Sequence, residues 1–576
     1  MAERTCGAAS RTWALAAVAL LGALGAAWAG DAPRDVRRPK KLIATGWDLD
    51  FDTAWLREHA PQMQQRPFDG LVIKVVGRSD DGKPVPVRET FSRTPWKAEW
   101  FDRAVEDLKA CGFRRFTDNF VQIGANPGDV DWFDDAGWRA IVDHCRIAAR
   151  VARRSGARGI LFDPEPYTAP HAQFSWAAQP GHGRHTFDEY AAKARERGRA
   201  CLQAMAEEHP DLVLFCYFMN SVVASAAGRA DPRPVLAGQG YGLLPAFVDG
   251  WLDAAPPAVT FVDGCEHAYR FNSRADFLEA ANRIRGACQE LVSPENRAKY
   301  RAQVQVSFGI YLDAHVNPPT SPWYIDGRGG PRVDRLRANV CDALGVADEY
   351  VWIYGEKYRW WPTPNKGVGA ESWNDVLPGA EDALRWARDP DAYGRFKIEA
   401  AAKAGTLANA ARNGDFASDK AATETGAEVA WRKDGPPAGW SAWQDEKSKG
   451  TLVWDREAGA AGKGAARAAG VSNGCFLQKV AAKPGQRWAV RALRRVRGTG
   501  RASVLVRWQD ADQRWTAEDR DRPFFCEGAA GEWGEIFGVV EVPEGAGFLV
   551  LLLAVHDQAS ADDLAWFDDV AAYALD

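Results

Sequence analysis

Two carboxylates, Asp163 and Glu165, stand two residues apart in the stretch Gly159-Ile160-Leu161-Phe162-Asp163-Pro164-Glu165-Pro166-Tyr167. On an extended chain, residues two apart point to the same side, so both acids share a face with Leu161 beneath them. Pro164 and Pro166 cannot continue a central ladder, which places the acids at the end of a buried strand. Paired acids at such a place are costly unless they have a task or a partner. A like charge nearby raises the pKa of one member of the pair. A carboxyl that keeps its proton near neutral pH can act as a general acid. The structural alternative is an ion pair, or a cap for the following helix.

The elements that would hold this pair alternate along the chain. Strand-like apolar runs occur at Leu42–Asp48, Gly70–Val76, Arg115–Val121, Ala157–Asp163, Leu212–Phe218, Val259–Asp263, Val304–Tyr311 and Tyr350–Tyr354. Amphipathic stretches lie between them, at Trp100–Cys111, Ala136–Ser155, Thr186–His209, Ser273–Val292 and Asp334–Leu344. Alternation of this kind predicts an α/β fold with a parallel sheet. Eight repeats fit a (β/α)8 TIM barrel over residues 38–411, closed by a helix near Ala392–Ala411. A doubly wound open sheet is the other arrangement. The first strand is not followed by Gly-x-Gly-x-x-Gly, and no phosphate-binding Gly-x-x-x-x-Gly-Lys-Ser/Thr occurs, so nucleotide chemistry has no motif to rest on.

Barrel enzymes act at the C-terminal ends of their strands, and polar and aromatic residues gather at those ends here. They are Trp47 and Asp48, Asp118 and Asn119, Asp163 with Glu165 and Tyr167, Tyr217 and Asn220, Glu266 with His267 and Tyr269, Asp313, and Tyr354 with Glu356 and Trp360. A glycosidase needs one protonated and one ionised carboxyl flanking the bond it breaks. Glu165 is the expected acid, and Asp163, Glu266 and Glu356 are the candidate partners. The remaining residues are candidate substrate contacts. Catalysis on this plan needs no cofactor.

Composition sets further bounds. The net charge of −5 leaves no basic footprint for nucleic acid. Tryptophan is abundant, 25 against 13 tyrosines, and flat indole faces suit both sugar rings and cores. Residues 1–29 combine Arg4 and Arg11, an apolar run and Ala27-Trp28-Ala29, the pattern of a cleaved secretion signal. The expected location is therefore secreted or periplasmic, with no membrane attachment after cleavage. From residue 412 to 576 helical periodicity fades into short strands such as Ala502–Trp508 and Gly547–Val555, predicting an all-β sandwich. Cys475 and Cys526 are the only cysteines there, and a disulfide between them is open in an exported protein.

Asp163-Pro164-Glu165 resembles the Asp-x-Glu of chitinase-like (family 18) glycoside hydrolases. In that family the Glu is the general acid and the Asp orients the substrate. The chain departs from the pattern at Leu161, where the family usually has another Asp, and at Tyr217-Phe218-Met219-Asn220, where it has Met-x-Tyr-Asp. Tyr350–Trp361 looks like the eighth strand of barrel glycosidases more generally. Asn413-Gly414-Asp415-Phe416 and Trp566-Phe567-Asp568-Asp569-Val570 resemble the opening and closing of galactose-binding-like and family 4/9 carbohydrate-binding jelly rolls. That resemblance implies a structural calcium at Asp415 and Asp568. Together they imply a secreted glycoside hydrolase acting on a poly- or oligosaccharide. The alternative is an exported carbohydrate-binding or surface-scaffold protein without catalysis.

Overall fold

The computed structural model describes residues 40–167, 172–422, 428–462, 464–526 and 528–575. The expected leader lies outside them. The chain forms two compact units, one ending at Arg388 and the other beginning at Asp389.

The first unit is α/β and built on a nine-stranded parallel sheet. Its strands are β1 (Lys41–Gly46), β2 (Gly70–Ile73), β3 (Phe120–Gly124), β4 (Gly159–Asp163), β5 (Val213–Cys216), β6 (Thr260–Asp263), β7 (Val304–Val306), β8 (Phe308–Tyr311) and β9 (Tyr350–Gly355). The order is β8-β9-β1-β2-β3-β4-β5-β6-β7. Its two terminal strands are halves of one segment broken at Ser307, so the sheet runs round to itself as a barrel. Strands covered on both faces read as continuous apolar runs, and all of Gly159–Asp163 and Val213–Cys216 is buried. Inside, Phe120, Phe215 and Tyr350 pack with ring centroids 5.4 to 5.6 Å apart. Burying each such side chain stabilises the fold by roughly 1.5–3 kcal/mol.

Local signals deliver the chain to these strands. Helix Asp135–Ser155 starts at Asp134, whose side chain accepts the N–H groups of Ala136 and Gly137. Such a cap contributes about 1 kcal/mol. The helix stops at Gly156, whose φ of 77° is the left-handed conformation that glycine adopts without strain. Three residues later β4 begins. Helix Phe187–Glu208 opens with a reciprocal capping box between Thr186 and Glu189. Parallel register then sets the rim. Gly124 lies beside Asp163, Cys216 beside Asp263, Tyr311 beside Tyr354, and Tyr354 beside Thr45.

The second unit contains two five-stranded antiparallel sheets. Its strands are β10 (Ser441–Gln444), β11 (Thr451–Asp455), β12 (Ala465–Ala469), β13 (Asn473–Ala481), β14 (Arg487–Arg497), β15 (Arg501–Gln509), β16 (Arg522–Phe524), β17 (Gly534–Glu541), β18 (Phe548–His556) and β19 (Leu564–Ala574). The sheets run β10-β13-β18-β15-β16 and β11-β12-β19-β14-β17. Leu549, Leu551 and Leu553 of one share a core with Ala565, Phe567 and Val570 of the other. The helix expected to close the barrel, Pro390–Lys403, packs on this unit instead. Gly394 faces Val539 and Phe537, and the Arg395 guanidinium lies 3.9 Å from the Phe537 ring centre. Cys475 and Cys526 are free thiols rather than a disulfide. Cys475 is buried in an apolar cluster with Val550 and Leu552. Among the described residues no helix is long and apolar enough to cross a membrane.

Candidate active site

A cleft of about 820 Å³ opens at the C-terminal rim of the barrel. Asp163, Glu165, Glu266 and Glu356 all line it, so four expected carboxylates from three strand ends converge. Trp47, Tyr167, Tyr217, His267, Tyr269 and Tyr354 line it too, as expected from sequence.

The segment after β4 is held by hydrogen bonds. The Glu165 N–H donates to Asp163 Oδ1 at 3.1 Å. Asn126 Nδ2 donates to the Glu165 carbonyl at 2.8 Å, and Asn126 Oδ1 accepts the Tyr167 N–H at 2.9 Å. With Pro164 and Pro166 fixing φ on either side, little freedom is left to the Glu165 backbone. The Tyr167 hydroxyl donates to Glu165 Oε2. Glu356 is aimed by two hydroxyls, Tyr311 to Oε2 at 2.9 Å and Tyr354 to Oε1 at 3.0 Å.

The electrostatics single out two acids. Burial, with the Glu165 charge beside it, pushes the Asp163 carboxyl up to about 7. Burial pushes Glu266 up to about 8, helped by the negative charges of Glu165 and Asp163. Both therefore hold protons at pH values where an ordinary carboxyl has lost its own.

An aromatic wall faces them. Tyr269 stacks with Tyr311 at 5.0 Å and with Tyr354 at 5.9 Å. Trp323 meets Tyr269 edge-on at 6.0 Å, with the Arg270 guanidinium 4.5 Å over its indole. Tyr217 lies 4.6 Å from Trp352 and shares a 2.7 Å hydrogen bond with Thr45. Trp47 is 44% exposed at the mouth. Flat apolar faces beside hydrogen-bonding groups suit a ligand whose rings have C–H faces and hydroxyl edges.

Six expected contacts lie elsewhere. Asp118 and Asn119 precede β3, because that strand runs Phe120–Gly124 rather than Arg115–Val121, and this puts them at the opposite end of the barrel. There Asp118 pairs with Lys41 at 2.7 Å and accepts the Tyr350 hydroxyl, and Asn119 accepts the Leu71 N–H. Asp48 turns inward to accept the Trp360 N–H at 2.8 Å, and burial raises its pKa to about 7. Trp360 is a core residue packed edge-on to Phe68 at 5.5 Å. Asn220 is fully buried against Cys288. Asp313 is buried and accepts the N–H groups of Glu356 at 2.9 Å and Lys357 at 3.2 Å, so it supports the backbone of a cleft residue from behind.

A related device ties two rim loops. Asp263, fully buried at the end of β6, accepts the N–H groups of Met219 at 3.1 Å, Ser221 at 3.0 Å and Cys265 at 3.2 Å, and the Ser221 hydroxyl.

Several lining residues were not singled out as contacts, among them Lys74, Arg88, Gln122 and Arg270. Lys74 follows β2 directly and its side chain is only 18% exposed. Burial lowers its pKa, against the opposing pull of Asp50. A lysine closing the apolar run Gly70–Ile73 carries the same strand-end signal that marked Asp163.

Asp415 and Asp568 belong to the second unit. Both Asp568 oxygens accept backbone N–H groups, from Ala460 at 2.6 Å and Asp569 at 2.7 Å. Among the described residues no group of three or more His, Cys, Asp or Glu side chains is placed to hold a metal ion.

No family model matches the chain, and no curated protein matches it. Among solved structures, the enzymatically active domain of bacteriophage CBA120 tailspike protein 4 is 14% identical, with a TM-score of 0.21, over 29% of this chain and 21% of its own. The CBM22-1 and GH10 modules of Clostridium thermocellum endo-1,4-beta-D-xylanase 10B are 17% identical, with a TM-score of 0.19, over 24% of this chain and 26% of theirs. A CBM4 structure is 15% identical, with a TM-score of 0.20, over 28% of this chain and 99% of its own. The chain thus spans about a fifth of the tailspike domain and a quarter of the xylanase modules. What the cleft can do follows from its own side chains.

Proposed function

We propose that the barrel cleft binds a poly- or oligosaccharide and hydrolyses a glycosidic bond by carboxylate acid–base catalysis. The observation that carries this reading is the convergence of Asp163, Glu165, Glu266 and Glu356 on one aromatic-walled cleft, with Glu266 raised to about 8. Glu266 gives its proton to the leaving-group oxygen, because it is the carboxyl whose proton the site retains through neutral pH. Glu165 and Glu356, whose oxygens accept tyrosine hydroxyls, serve as acceptors. One of them faces the anomeric carbon, as nucleophile or as base toward water. Asp163 tunes the group from beneath. The exposed face of Trp47 and the Tyr269–Tyr311–Tyr354 wall hold the sugar rings.

The acid expected at Glu165 thus moves to Glu266 in this proposal, and Glu165 becomes part of the electrostatic field that raises it. The chitinase-like role, with an acetamido group oriented by Asp163, is a narrower form of the same proposal. Export with cleavage after Ala29 belongs to it as well. N-terminal sequencing of material recovered outside the cytoplasm, beginning at Gly30, is the expected result.

The test is turnover by the purified protein on a panel of polysaccharides and aryl glycosides, with products separated by chromatography. Release of sugar that disappears in Glu266→Gln supports the proposal. Binding without turnover across the panel would favour a non-catalytic carbohydrate-binding protein instead.

A further inference from the structure

After β2 the chain leaves the barrel as a short hairpin, Val76–Arg78 paired with Pro84–Pro86. Its register sets Val76 against Pro86 and Gly77 against Val85. The Val87 N–H donates to the Val75 carbonyl at 2.9 Å, which carries that register one step nearer the barrel. Lys74 and Arg88 are the next opposing positions, at the hairpin's base. Both line the barrel cleft with Asp163 and Glu165.

The turn that carries Arg88 is pinned. Val87 is fully buried, and the hydroxyl of the buried Thr90 donates to its carbonyl at 2.6 Å. The turn closes over the end of β3 at Gly124, where a Cβ would stand only 2.8 Å from the Arg88 carbonyl. Neither cation is well matched within the chain. Arg88 is exposed, and among the described residues no ion pair or side-chain hydrogen bond engages it. Lys74 Nζ reaches the Gly46 carbonyl only at 3.5 Å and Asp50 only at 3.9 Å. Like charges facing each other across a hairpin repel. Burial lowers the Lys74 pKa, and the Arg88 charge adds to that effect against the pull of Asp50. An anion between the two relieves the repulsion and supplies the missing acceptors. The acids alongside do not fill that role. Asp163 keeps its proton to about 7, and Glu165 Oε2 accepts the Tyr167 hydroxyl.

We propose, resting on the glycosidase reading of this cleft, that its substrate is an acidic glycan in which a uronate carboxylate binds between Lys74 and Arg88. One carboxylate oxygen meets the guanidinium fork and the other meets the ammonium. The acidic ring then lies beside Asp163 and Glu165, so the charge is read next to the reacting carboxyls rather than at a remote subsite.

The experiment is isothermal titration of the whole chain carrying Glu266→Gln, which leaves the ligand intact. The probes are trimers of galacturonate, glucuronate and mannuronate, each beside its methyl ester. At least one acidic trimer should bind, and its ester, which keeps the ring and loses the charge, should bind at least about tenfold more weakly. Arg88→Ala should weaken binding of the acid about tenfold or more, the usual loss for a charge-assisted contact, and bring acid and ester to similar affinity. Arg88→Lys should recover only part of it, since the charge stays but the fork is gone. Arg103→Ala, exposed on the outer helix Asp102–Ala110, should change nothing. Equal binding of acid and ester, no binding of any acidic trimer, or a preference for the acid that survives Arg88→Ala overturns the proposal. Turnover by the parent separates it from the reading on which it rests. Acid-selective binding lost in Arg88→Ala, with no glycan turned over, retires hydrolysis and keeps the carboxylate site. Turnover of a neutral glycan that disappears in Glu266→Gln, without any preference for acids, keeps hydrolysis and overturns the site.

Discussion

Replacing Glu266 by Gln tests the chemistry most directly. An ordinary glutamate with a pKa of 4.5 holds its proton in about 0.3% of molecules at pH 7. At about 8, Glu266 holds it in roughly 90%. The cleft therefore raises the fraction of competent acid about 300-fold at pH 7, and the rise in pKa itself corresponds to roughly 5 kcal/mol of differential interaction between the protonated and ionised forms. Glu266→Gln keeps the shape and removes the transferable proton. Turnover should fall by ~10²–10⁴-fold, with binding retained, and aryl substrates with acidic leaving groups should suffer least. In the parent, kcat/KM should decline as pH rises through about 8, because the working form is the protonated one. Glu165→Gln then checks the origin of the shift. After burial, the Glu165 charge is the next largest cause raising Glu266, so its removal should lower the Glu266 midpoint in a carboxyl 13C NMR titration, which needs no activity. Burial remains, so the midpoint should stay above 4.5. A Glu266→Gln enzyme within a few-fold of the parent, or a Glu266 midpoint unmoved in Glu165→Gln, would refute the reasoning.

Trp47→Ala should raise KM roughly two- to tenfold and leave kcat nearly unchanged, because an exposed stacking face binds ground and transition states alike. Asp48→Asn should flatten the pH dependence of stability. The folded pKa of about 7 lies above the unfolded value near 3.8, so this group's contribution is full below pH 3.8 and is lost as pH rises through 7. Melting temperatures compared at pH 4 and pH 8 should therefore differ less in the variant than in the parent. If Asp415 and Asp568 hold calcium, the melting temperature should be several degrees higher in calcium than in EDTA, and equal values would retire that expectation.

The barrel was legible in the chain because each strand is an apolar run punctuated by a polar end, and Asp163, Glu165, Glu266 and Glu356 were read from those ends. Asp118 and Asn119 were misplaced for a local reason. Phe113 and Phe116 extend the apolar signal upstream of Phe120, so the pattern places the strand about four residues early, and a shift of that size exchanges the two ends of a short strand. Trp360 and Asp48 show a different limit. Whether a rim aromatic or acid faces the cleft or turns into the core depends on loop geometry. Here the Asp48 contact with the Trp360 N–H joins residues 312 positions apart. Helix Pro390–Lys403 falls in the second unit rather than closing the barrel, because amphipathic periodicity shows that a helix has an apolar face but not which surface covers it.

The buried carboxylate of Asp263 has a bearing on how this rim can diversify. It gathers donors from Met219, Ser221 and Cys265, so the segments following β5 and β6 are not separate modules. A graft that replaced either one alone would strand an acid or leave amides without an acceptor. The two must be exchanged as a block, together with the strand end that carries the acid. Libraries aimed at altering ligand preference at Tyr217, Glu266 or Tyr269 should recombine at the strands flanking this pair rather than within it.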